Sequence, residues 1–276
     1  MPEKKLSVEV LCATMFQKDF SKIEEMNIKT DVFFANQSSE HFYAEKEFNG
    51  YLARMVTTNQ RGLSKNRNTA LIYAKGDICV IADDDVEYFD DYEQKIVSAF
   101  EALPDADIIM FNLSSKNGNS ERAMKEYSKI KKVGKLSRCG TASYRIAFKL
   151  SSVQKANIWF SPIFSTGSKY YCGEDAMWIN DAIKKGLKVY TYPEYIASID
   201  YGNSTWYDGL LEKHYFTKGA YIKALYGKLC ICYIPYYLIR ASKRSKLSFT
   251  ERLKWILNGV KAYNADLSYD EFIDKN

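Results

Sequence analysis

Apolar runs alternate with amphipathic segments over most of the chain, and the two patterns predict strands and helices in turn. Short apolar runs with polar ends are typical of buried strands, while apolar residues three and four apart predict helices. Because parallel strands need helical crossovers, the alternation predicts a mostly parallel, Rossmann-like α/β sheet flanked by helices. The predicted strands are Leu6–Ala13, Thr30–Ala35, Tyr51–Thr57, Ile78–Ala82, Asp107–Leu113, Thr141–Leu150 and Leu187–Tyr192. The predicted helices are Asp19–Met26, Arg61–Ala74, Tyr92–Leu103 and Glu174–Ile183.

The C-terminal part of the chain differs in charge from the rest. Between Leu211 and Ala262, eleven Lys or Arg stand against two acids, a balance of +9 within a net charge of +5, so the remainder carries −4. We therefore predict one α/β domain over residues 1–205 and a helical, basic, aromatic segment over residues 206–276. An acidic body with a basic tail argues against nucleic acid as a partner and favours an anionic surface for the tail.

Three consecutive carboxylates, Asp83, Asp84 and Asp85, follow the predicted strand Ile78–Ala82. The carboxyl ends of parallel strands form the edge at which open α/β sheets bind their ligands. Like charges this close repel one another unless a cation or a hydrogen-bond donor offsets them, so the cluster suits a hard divalent ion with oxygen ligands. A solvated acidic loop is the alternative.

A second acidic pair, Glu174 and Asp175, begins a predicted amphipathic helix that ends at Gly186. Acids at a helix N-terminus are stabilised as anions by about 0.3–1 kcal/mol, so ordinary capping is one interpretation. The helix leads into the predicted strand Leu187–Tyr192, which would turn its first residues toward the same edge as the aspartates. We therefore predict that the two acidic sites share one cleft.

The order of these motifs resembles the glycosyltransferases of family two, which are inverting enzymes with the GT-A fold. The resemblance extends from about Leu6 to Pro193 and depends on the combination of motifs. The motifs are Thr14, Asn36-Gln37-Ser38, the stretch from Arg61 to Asn68, Gly76-Asp77-Ile78, Asp83-Asp84-Asp85 and Gly173-Glu174-Asp175.

The resemblance implies a role for each motif. Asp83 and Asp85 would hold a Mn²⁺ or Mg²⁺ ion that bridges the two phosphates of a nucleotide sugar. Asp175, with Glu174 beside it, would be the catalytic base. The donor contacts would come from Thr14, Asn36, Arg61, Arg67, Asp83 and Asp84, although a solvated helix surface is the alternative for Arg61.

Two positions depart from the family pattern. An Asp usually ends the second strand and bonds the nucleobase, whereas this chain has Asn36, whose amide still suits uracil. Related enzymes often carry a His after the last core strand; here His214 lies further on, and a surface position beside Lys213 is the favoured interpretation. Since His41 is the other histidine, any metal must be held mainly by oxygen, which argues against zinc.

The apolar segment Leu229–Ile239 is too short to cross a bilayer, because eleven residues span about half of the roughly 30 Å hydrocarbon core. Pro235 also interrupts it. The basic run and the amphipathic helix that follow suit an anionic membrane surface; helices packed on the catalytic domain are the alternative. The basic residues of the run are Arg240, Lys243, Arg244 and Lys246.

We therefore predict a metal-dependent, inverting glycosyltransferase of the hexosyltransferase class. It would move a sugar from a nucleoside-diphosphate sugar, UDP-linked, to a hydroxyl of a glycan or lipid-linked acceptor in bacterial surface polysaccharide synthesis. The alternatives are a metal-dependent nucleotidyltransferase and a non-catalytic, membrane-associated scaffold with the same fold. No apolar h-region follows Met1–Lys5, so we expect a cytoplasmic protein, peripheral on the inner face of the membrane.

Overall fold

The computed structural model describes residues 6–116, 125–134, 141–200, 211–240 and 245–275. The chain divides into two compact units. Unit 1 comprises Met1–Phe160 and Trp178–Asn203, and unit 2 comprises Ser161–Met177 and Ser204–Asn276. The predicted domains over residues 1–205 and 206–276 stay a prediction; the compact units join residues 161–177 to the C-terminal helices.

Unit 1 contains one mixed sheet, to which the described residues contribute ten strands. Its strand order is β3-β4-β2-β1-β5-β9-β7-β10-β6, with β8 paired to β10. The strands are β1 Val8–Met15, β2 Asp31–Gln37, β3 Phe42–Phe48, β4 Tyr51–Thr58, β5 Ile78–Asp83, β6 Val86–Tyr88, β7 Ile108–Ser115, β8 Lys131–Lys132, β9 Ile146–Lys149 and β10 Val189–Ile199.

The central strands confirm the predicted parallel core. β1 pairs in parallel with β2 and β5, β2 with β4, and β7 with β10. Both faces of these strands are buried: Val10 and Val80 lie in one core, and Leu11 and Ile81 lie in the other. Mostly apolar runs are therefore expected here, because no face of the strand meets water.

Five helices accompany the sheet in the described part of the chain: α1 Lys22–Glu25, α2 Leu63–Tyr73, α3 Tyr92–Ala102, α4 Leu150–Lys155 and α5 Glu174–Lys184. Ile96 and Phe100 of α3 share the core of Val10, while Leu71 of α2 and Trp178 of α5 share the core of Leu11. The two layers of helices confirm the predicted α/β architecture. The boundary between the units falls within α5, after Met177.

The strands β9 and β3 differ from the prediction, and the short strands β6 and β8 were not predicted either. The predicted strand Thr141–Leu150 is a 3-10 turn, Ser143–Arg145, followed by the short β9, which runs antiparallel between β5 and β7. β3 was not predicted; it forms a hairpin with β4 through Asn49 and Gly50, whose φ values are 48° and 83°. Positive φ at both central residues is the requirement of a type I′ turn, which Asn-Gly satisfies.

A buried ion pair connects β1 and β4. Arg54 donates to Glu9, and the exposed fractions of the two side chains are 3% and 1%. Glu9 also accepts hydrogen bonds from the backbone N–H groups of Lys75, at 2.6 Å, and Gly76, at 2.8 Å. A buried carboxylate is tolerated only when its charge and lone pairs are matched in this way.

Unit 2 is helical in the residues that the structure describes. Its helices are α6 Glu212–Tyr226, α7 Cys230–Arg240, α8 Phe249–Asn264 and α9 Tyr269–Asp274. Capping boxes begin α8, at Ser248 and Glu251, and α9, at Ser268 and Glu271. Pro235 lies within α7 and does not end it, so the predicted interruption is wrong. Residues 241–244, which include Lys243 and Arg244, lie outside the described residues.

Helices α6 and α8 cross in close contact at two glycines. A Cβ atom added to Gly219 would lie 2.0 Å from the backbone oxygen of Ile256. One added to Gly259 would lie 1.9 Å from that of Phe216. The crossing therefore has no room for any larger residue at either position. Among the helices described, none has the length and apolar character needed to span a membrane.

Candidate active site

The carboxyl ends of β1, β2, β4 and β5 meet at one edge of the sheet, called the rim below. Thr14 pairs with Asn36, and Asn36 pairs with Thr57. Ala13 pairs with Asp83, so the first aspartate lies beside the end of β1. The rim therefore brings together Thr14, Asn36 and Asp83, which lie far apart in the chain.

Two of the three aspartates are held by hydrogen bonds within the rim. Thr14 Oγ1 donates to Asp84 Oδ2 at 2.6 Å. Arg67 Nη2 donates to Asp83 Oδ1 at 2.8 Å, and the Arg67 side chain is 3% exposed. β6 anchors the chain on the far side of the turn, since it pairs with β10 from Val86 to Tyr88. The acidic turn is thus fixed at both ends, which excludes the alternative of a freely solvated loop.

Asp85 is the exposed member of the three. The surrounding protein nevertheless raises the pKa of its carboxyl to about 6, first through partial removal from water and then through repulsion by Asp83 and Asp84. The part of this shift that comes from Asp83 and Asp84 reflects repulsion between their charges and the Asp85 carboxylate. A cation bound here would relieve that repulsion.

The donor atoms of the turn fit Mg²⁺ or Mn²⁺. They are hard carboxylate oxygens, and Mg²⁺ is usually bound by one or two carboxylates together with substrate phosphates and water. Thr14 and Arg67 each engage one aspartate oxygen, which leaves Asp85 as the most accessible carboxylate. Over the described ranges, no three or more His, Cys, Asp or Glu side chains form a preassembled metal site. The protein side chains alone would therefore supply a partial set of ligands.

The N-terminal half of α2 connects the rim strands. Asn66 donates from Nδ2 to the backbone oxygens of Thr14, at 3.1 Å, and Ala35, at 2.7 Å. It thereby joins the ends of β1 and β2. Sequence reasoning placed Asn66 in a motif but assigned it no role; an amide beside Arg67 in a predicted helix N-terminus was the available signal.

Arg67 lies within unit 1 and is held on two sides. Besides its ion pair with Asp83, its guanidinium lies 5.5 Å from the centre of the Phe160 ring. A buried guanidinium fixed in this way orients the aspartate and contributes positive charge near the rim. The predicted contact of Arg67 with the donor stays a prediction.

Asn36 is fully buried and its amide is bonded within the protein. Its Oδ1 accepts from the Gln17 backbone N–H at 3.0 Å, and its Nδ2 donates to the Gln17 oxygen at 2.8 Å and to Thr57 Oγ1 at 2.9 Å. Asn36 therefore fixes the loop that follows β1. The predicted contact of Asn36 with the nucleobase stays a prediction, and these bonds give Asn36 a structural role as well.

Arg61 is exposed and precedes α2. Its guanidinium lies 5.9 Å from the centre of the Phe16 ring. Phe16 is 59% exposed and has a φ of 58°, an uncommon value for an aromatic residue. Two neighbouring exposed side chains, one cationic and one aromatic, thus lie next to the end of β1, where a planar base or an anion could be bound.

Glu174 and Asp175 occupy the first turn of α5, as predicted, and belong to unit 2. Glu174 is buried and Asp175 is half-buried. The preceding Gly173 has a φ of 114°, and a Cβ there would lie 2.9 Å from the Tyr221 ring, so glycine is required at this turn. The predicted position of this pair opposite the aspartates stays a prediction.

His214 and Lys218 lie one turn apart on α6, in the same unit as the acidic pair. His214 is half-buried, and its Nδ1 is hydrogen-bonded to Tyr171 Oη at 3.1 Å, so its interpretation as a surface residue is wrong. Burial and then the charge of Lys218 lower the pKa of His214 to about 3, which keeps the imidazole neutral. The Cys172 sulfur is the main influence that raises the pKa of Lys218. Sequence reasoning missed this cluster, although the spacing of four residues was a signal.

A sequence model of the glycosyl transferase family 2 matches residues 37–154, which include Arg61, Arg67 and the three aspartates but end before Glu174. No curated protein sequence matches the chain.

Solved structures of S. aureus TarS share the fold. TarS 1–349 superposes with a TM-score of 0.56 at 13% identity, covering 95% of this chain and 73% of that one. TarS 1–349 in complex with UDP-GlcNAc superposes with a TM-score of 0.56 at 13% identity, covering 96% of this chain and 77% of that one. A longer TarS structure superposes with a TM-score of 0.55 at 12% identity, covering 96% of this chain and 44% of that one. The family match and the common fold confirm the resemblance of this chain to the GT-A glycosyltransferases of family two.

Proposed function

We propose that the protein is a metal-dependent, inverting glycosyltransferase that uses a nucleoside-diphosphate sugar. The observation that carries the proposal is the rim, where Thr14, Arg67 and three aspartates meet at the carboxyl ends of parallel strands. The family match over residues 37–154 supports transfer of a sugar as the reaction. Structures of TarS with UDP-GlcNAc and with UDP, on the same fold, support a UDP-linked donor.

Donor binding is assigned to the rim residues. Asp83 and Asp85 would hold Mn²⁺ or Mg²⁺, which neutralises charge on the leaving diphosphate. Thr14 positions Asp84, and Arg67 positions Asp83, so the carboxylates keep a fixed geometry before the donor arrives. Arg61 and Phe16 would contact the donor from the exposed side of the rim.

Sugar transfer would use the acidic pair of α5. The acceptor oxygen forms a bond to the anomeric carbon while its proton passes to the Asp175 carboxylate. The bond from that carbon to the phosphate oxygen breaks, and the nucleoside diphosphate leaves with the electron pair. Attack from the face opposite the leaving group inverts the anomeric centre. General-base assistance of this type typically contributes 10²- to 10⁴-fold in rate.

The acceptor is proposed to be a hydroxyl of a glycan or a lipid-linked glycan in bacterial surface polysaccharide synthesis. The metal-linked donor site is tested by calorimetry of UDP binding with Mn²⁺ and with EDTA. The wild type is expected to bind UDP more tightly with Mn²⁺, and Asp85→Ala is expected to lose that enhancement. Glu87→Ala is the matched control, since Glu87 lies two residues further on, is exposed and pairs with Lys116 at 2.9 Å.

Each outcome decides between functions. Binding of UDP without any effect of Mn²⁺ in the wild type would contradict the metal-dependent enzyme, and no UDP binding at all would favour a scaffold. A screen of UDP-sugars for release of UDP, beginning with UDP-GlcNAc, identifies the donor. Release of pyrophosphate from a nucleoside triphosphate and a sugar phosphate would instead indicate a nucleotidyltransferase.

A further inference from the structure

Helix α7 presents an apolar face to solvent. Leu229, just before the helix, is 69% exposed, and Ile231 and Ile239 within it are 72% and 71% exposed. Ile231, Pro235 and Ile239 recur every four residues, so they lie in one row along the helix. We define the α7 face as the exposed residues Leu229, Ile231, Cys232, Pro235, Tyr236 and Ile239.

The opposite side of α7 is packed inside unit 2. Cys230, Ile234 and Leu238 are buried in one cluster with Tyr215 of α6 and Ile256 of α8. The helix is therefore held in place by its inner side, and the exposure of its outer side is a property of the folded unit. No residue from Leu229 to Ile239 carries a charge. Single exposed apolar residues are common on proteins, whereas a contiguous exposed apolar row typically marks an interaction surface.

The charges that flank the α7 face are positive. Lys228 before the helix and Lys246 after it are both exposed. Arg240, Lys243 and Arg244 lie between them in the chain, and no Asp or Glu occurs between Glu212 and Glu251. An uncharged apolar row with cations at its ends matches the boundary between acyl chains and anionic headgroups.

The dimensions agree with a helix that lies in the plane of the membrane. The 11 residues of α7 extend for about 16 Å, roughly half of the hydrocarbon thickness. A second copy of the chain is a poorer match for this face. A two-fold contact there would bring the flanking cations of both copies together without acids to offset them.

We propose that the α7 face docks the protein on bilayers that contain anionic lipid. Leu229, Ile231 and Ile239 enter the headgroup and acyl boundary, while Lys228 and Lys246 contact phosphate groups at the surface. This docking is independent of the proposed glycosyltransferase activity, because it involves none of the rim residues. It can be measured without donor, acceptor or metal.

Flotation of the full chain with vesicles tests the proposal. We expect binding to vesicles of phosphatidylglycerol and phosphatidylcholine and much weaker binding to phosphatidylcholine alone. The variant Ile231→Ser/Ile239→Ser should bind the anionic vesicles about tenfold more weakly or worse, since two large apolar side chains are lost from the contact. Ile72→Ser is the matched control, because Ile72 is 65% exposed on α2. Circular dichroism checks that each variant is folded.

The charges are tested separately. Lys228→Gln and Lys246→Gln should each weaken binding to anionic vesicles by about fivefold, and salt should weaken it further. Lys131→Gln/Lys132→Gln, at the exposed β8, should have no effect. Equal binding by the wild type and by Ile231→Ser/Ile239→Ser would overturn the proposal.

The thiol of Cys232 provides a readout at the face itself. Cys232 is exposed, whereas Cys12, Cys79 and Cys230 are buried. Anionic vesicles should slow maleimide labelling of Cys232, with Cys232→Ser as the reference for labelling at other thiols. Unchanged labelling in the presence of bound vesicles would contradict docking through α7. Self-association in ultracentrifugation that the Ile231→Ser/Ile239→Ser variant abolishes, without vesicle binding by the wild type, would assign the face to a second copy.

Discussion

The two units differ in the contacts within their interiors, although both contain aromatic pairs, such as Phe160 and Trp178 of unit 1. Unit 1 buries charged and amide groups among its strands, including the Glu9–Arg54 pair and the Arg67–Asp83 pair. Unit 2 uses aromatic contacts and the glycine crossing of α6 and α8; Phe164 and Tyr170, for example, stack at 4.8 Å. Buried polar networks hold side chains in a single geometry, which suits a site for a charged ligand. Close packing in unit 2 instead fixes the position of the backbone. An example is Gly173, which precedes the acidic pair and packs against the Tyr221 ring of α6.

Replacement of the proposed base should give the largest effect and separate the chemical roles of the two units. Asp175→Asn is expected to keep donor binding and to lower the rate of transfer by about 10²- to 10⁴-fold, because the amide cannot accept the proton. UDP calorimetry and a transfer assay measure the two properties. Asp181→Asn, on the same helix and 46% exposed, is the control. Full transfer activity in Asp175→Asn would remove Asp175 as the base.

The buried ion pair of unit 1 should give the largest effect on stability. Arg54→Met leaves the carboxylate of Glu9 buried without its cation, and loss of one partner of such a pair typically costs about 3–5 kcal/mol. Unfolding in denaturant measures this change. The double variant Glu9→Leu/Arg54→Met removes both charges and should recover part of the loss. No recovery would show that packing around Arg54, and not its charge, is what stabilises the sheet.

The glycine crossing of unit 2 should give a smaller loss. Gly259→Ala would place a Cβ 1.9 Å from the Phe216 oxygen, and overpacking of this type typically costs about 1–3 kcal/mol. Alanine has a higher helix propensity than glycine by about 1 kcal/mol, which alone would stabilise the helix. A destabilised variant therefore identifies the clash as the cause. Thermal unfolding measures the effect, with Asn258→Ala on the same helix as the control. Increased stability in Gly259→Ala would contradict the close crossing.

The response to pH should be the smallest effect and opposite in sign for the two units. The pKa of His214 is lowered to about 3, so the unfolded chain takes up its proton first and stability falls as the pH drops below about 6.5. The pKa of Asp85 is raised to about 6, so the folded protein binds that proton first and stability rises as the pH drops from about 6 toward 4.

Variants at the two positions separate these contributions. His214→Gln should reduce the acid sensitivity, and Asp85→Asn should increase it, each by up to about 1 kcal/mol per pH unit after allowance for solvent screening. Denaturant unfolding at pH values from 7.5 to about 5, with EDTA present, measures the slopes. Asp90→Asn serves as a control, because the lowered pKa of that exposed carboxylate keeps it ionised over the pH range measured. Changes in slope of the same sign in both variants, relative to the wild type, would contradict the assignment.

Sequence reasoning located the central strands because their burial on both faces leaves a local signature. β1, β2, β5 and β7 are apolar runs with polar ends, and that pattern follows directly from their position between two helical layers. β3 carries three consecutive exposed charged residues, Glu45-Lys46-Glu47, as expected for an edge strand, and was missed. Its signal was nevertheless present, since Asn49-Gly50 is the preferred sequence of a type I′ turn. β9 could not be oriented, because its direction depends on pairing with strands distant in the chain.

The acidic turns were visible in the sequence, but the side chains that hold them were not. Asp83 lies at the end of β5 as its pattern predicts, whereas its ion pair with Arg67 joins residues on separate elements. The same is true of the bond from Thr14 to Asp84. Apolar periodicity reports burial along one element, while these contacts depend on how elements are placed in three dimensions. The sequence pattern of a single element therefore does not predict them.

Asn66 illustrates a constraint of a different kind. Both of its amide hydrogens have a use, because Nδ2 serves the carbonyl oxygens that end β1 and β2. Aspartate has almost the same shape, but its carboxylate oxygens are acceptors and would face two carbonyl oxygens that are also acceptors. Leucine would remove both hydrogen bonds. Whether a residue is tolerated at this position therefore depends on its ability to donate two hydrogen bonds and not on its volume. A library of variants chosen by size alone would keep the wrong residues there.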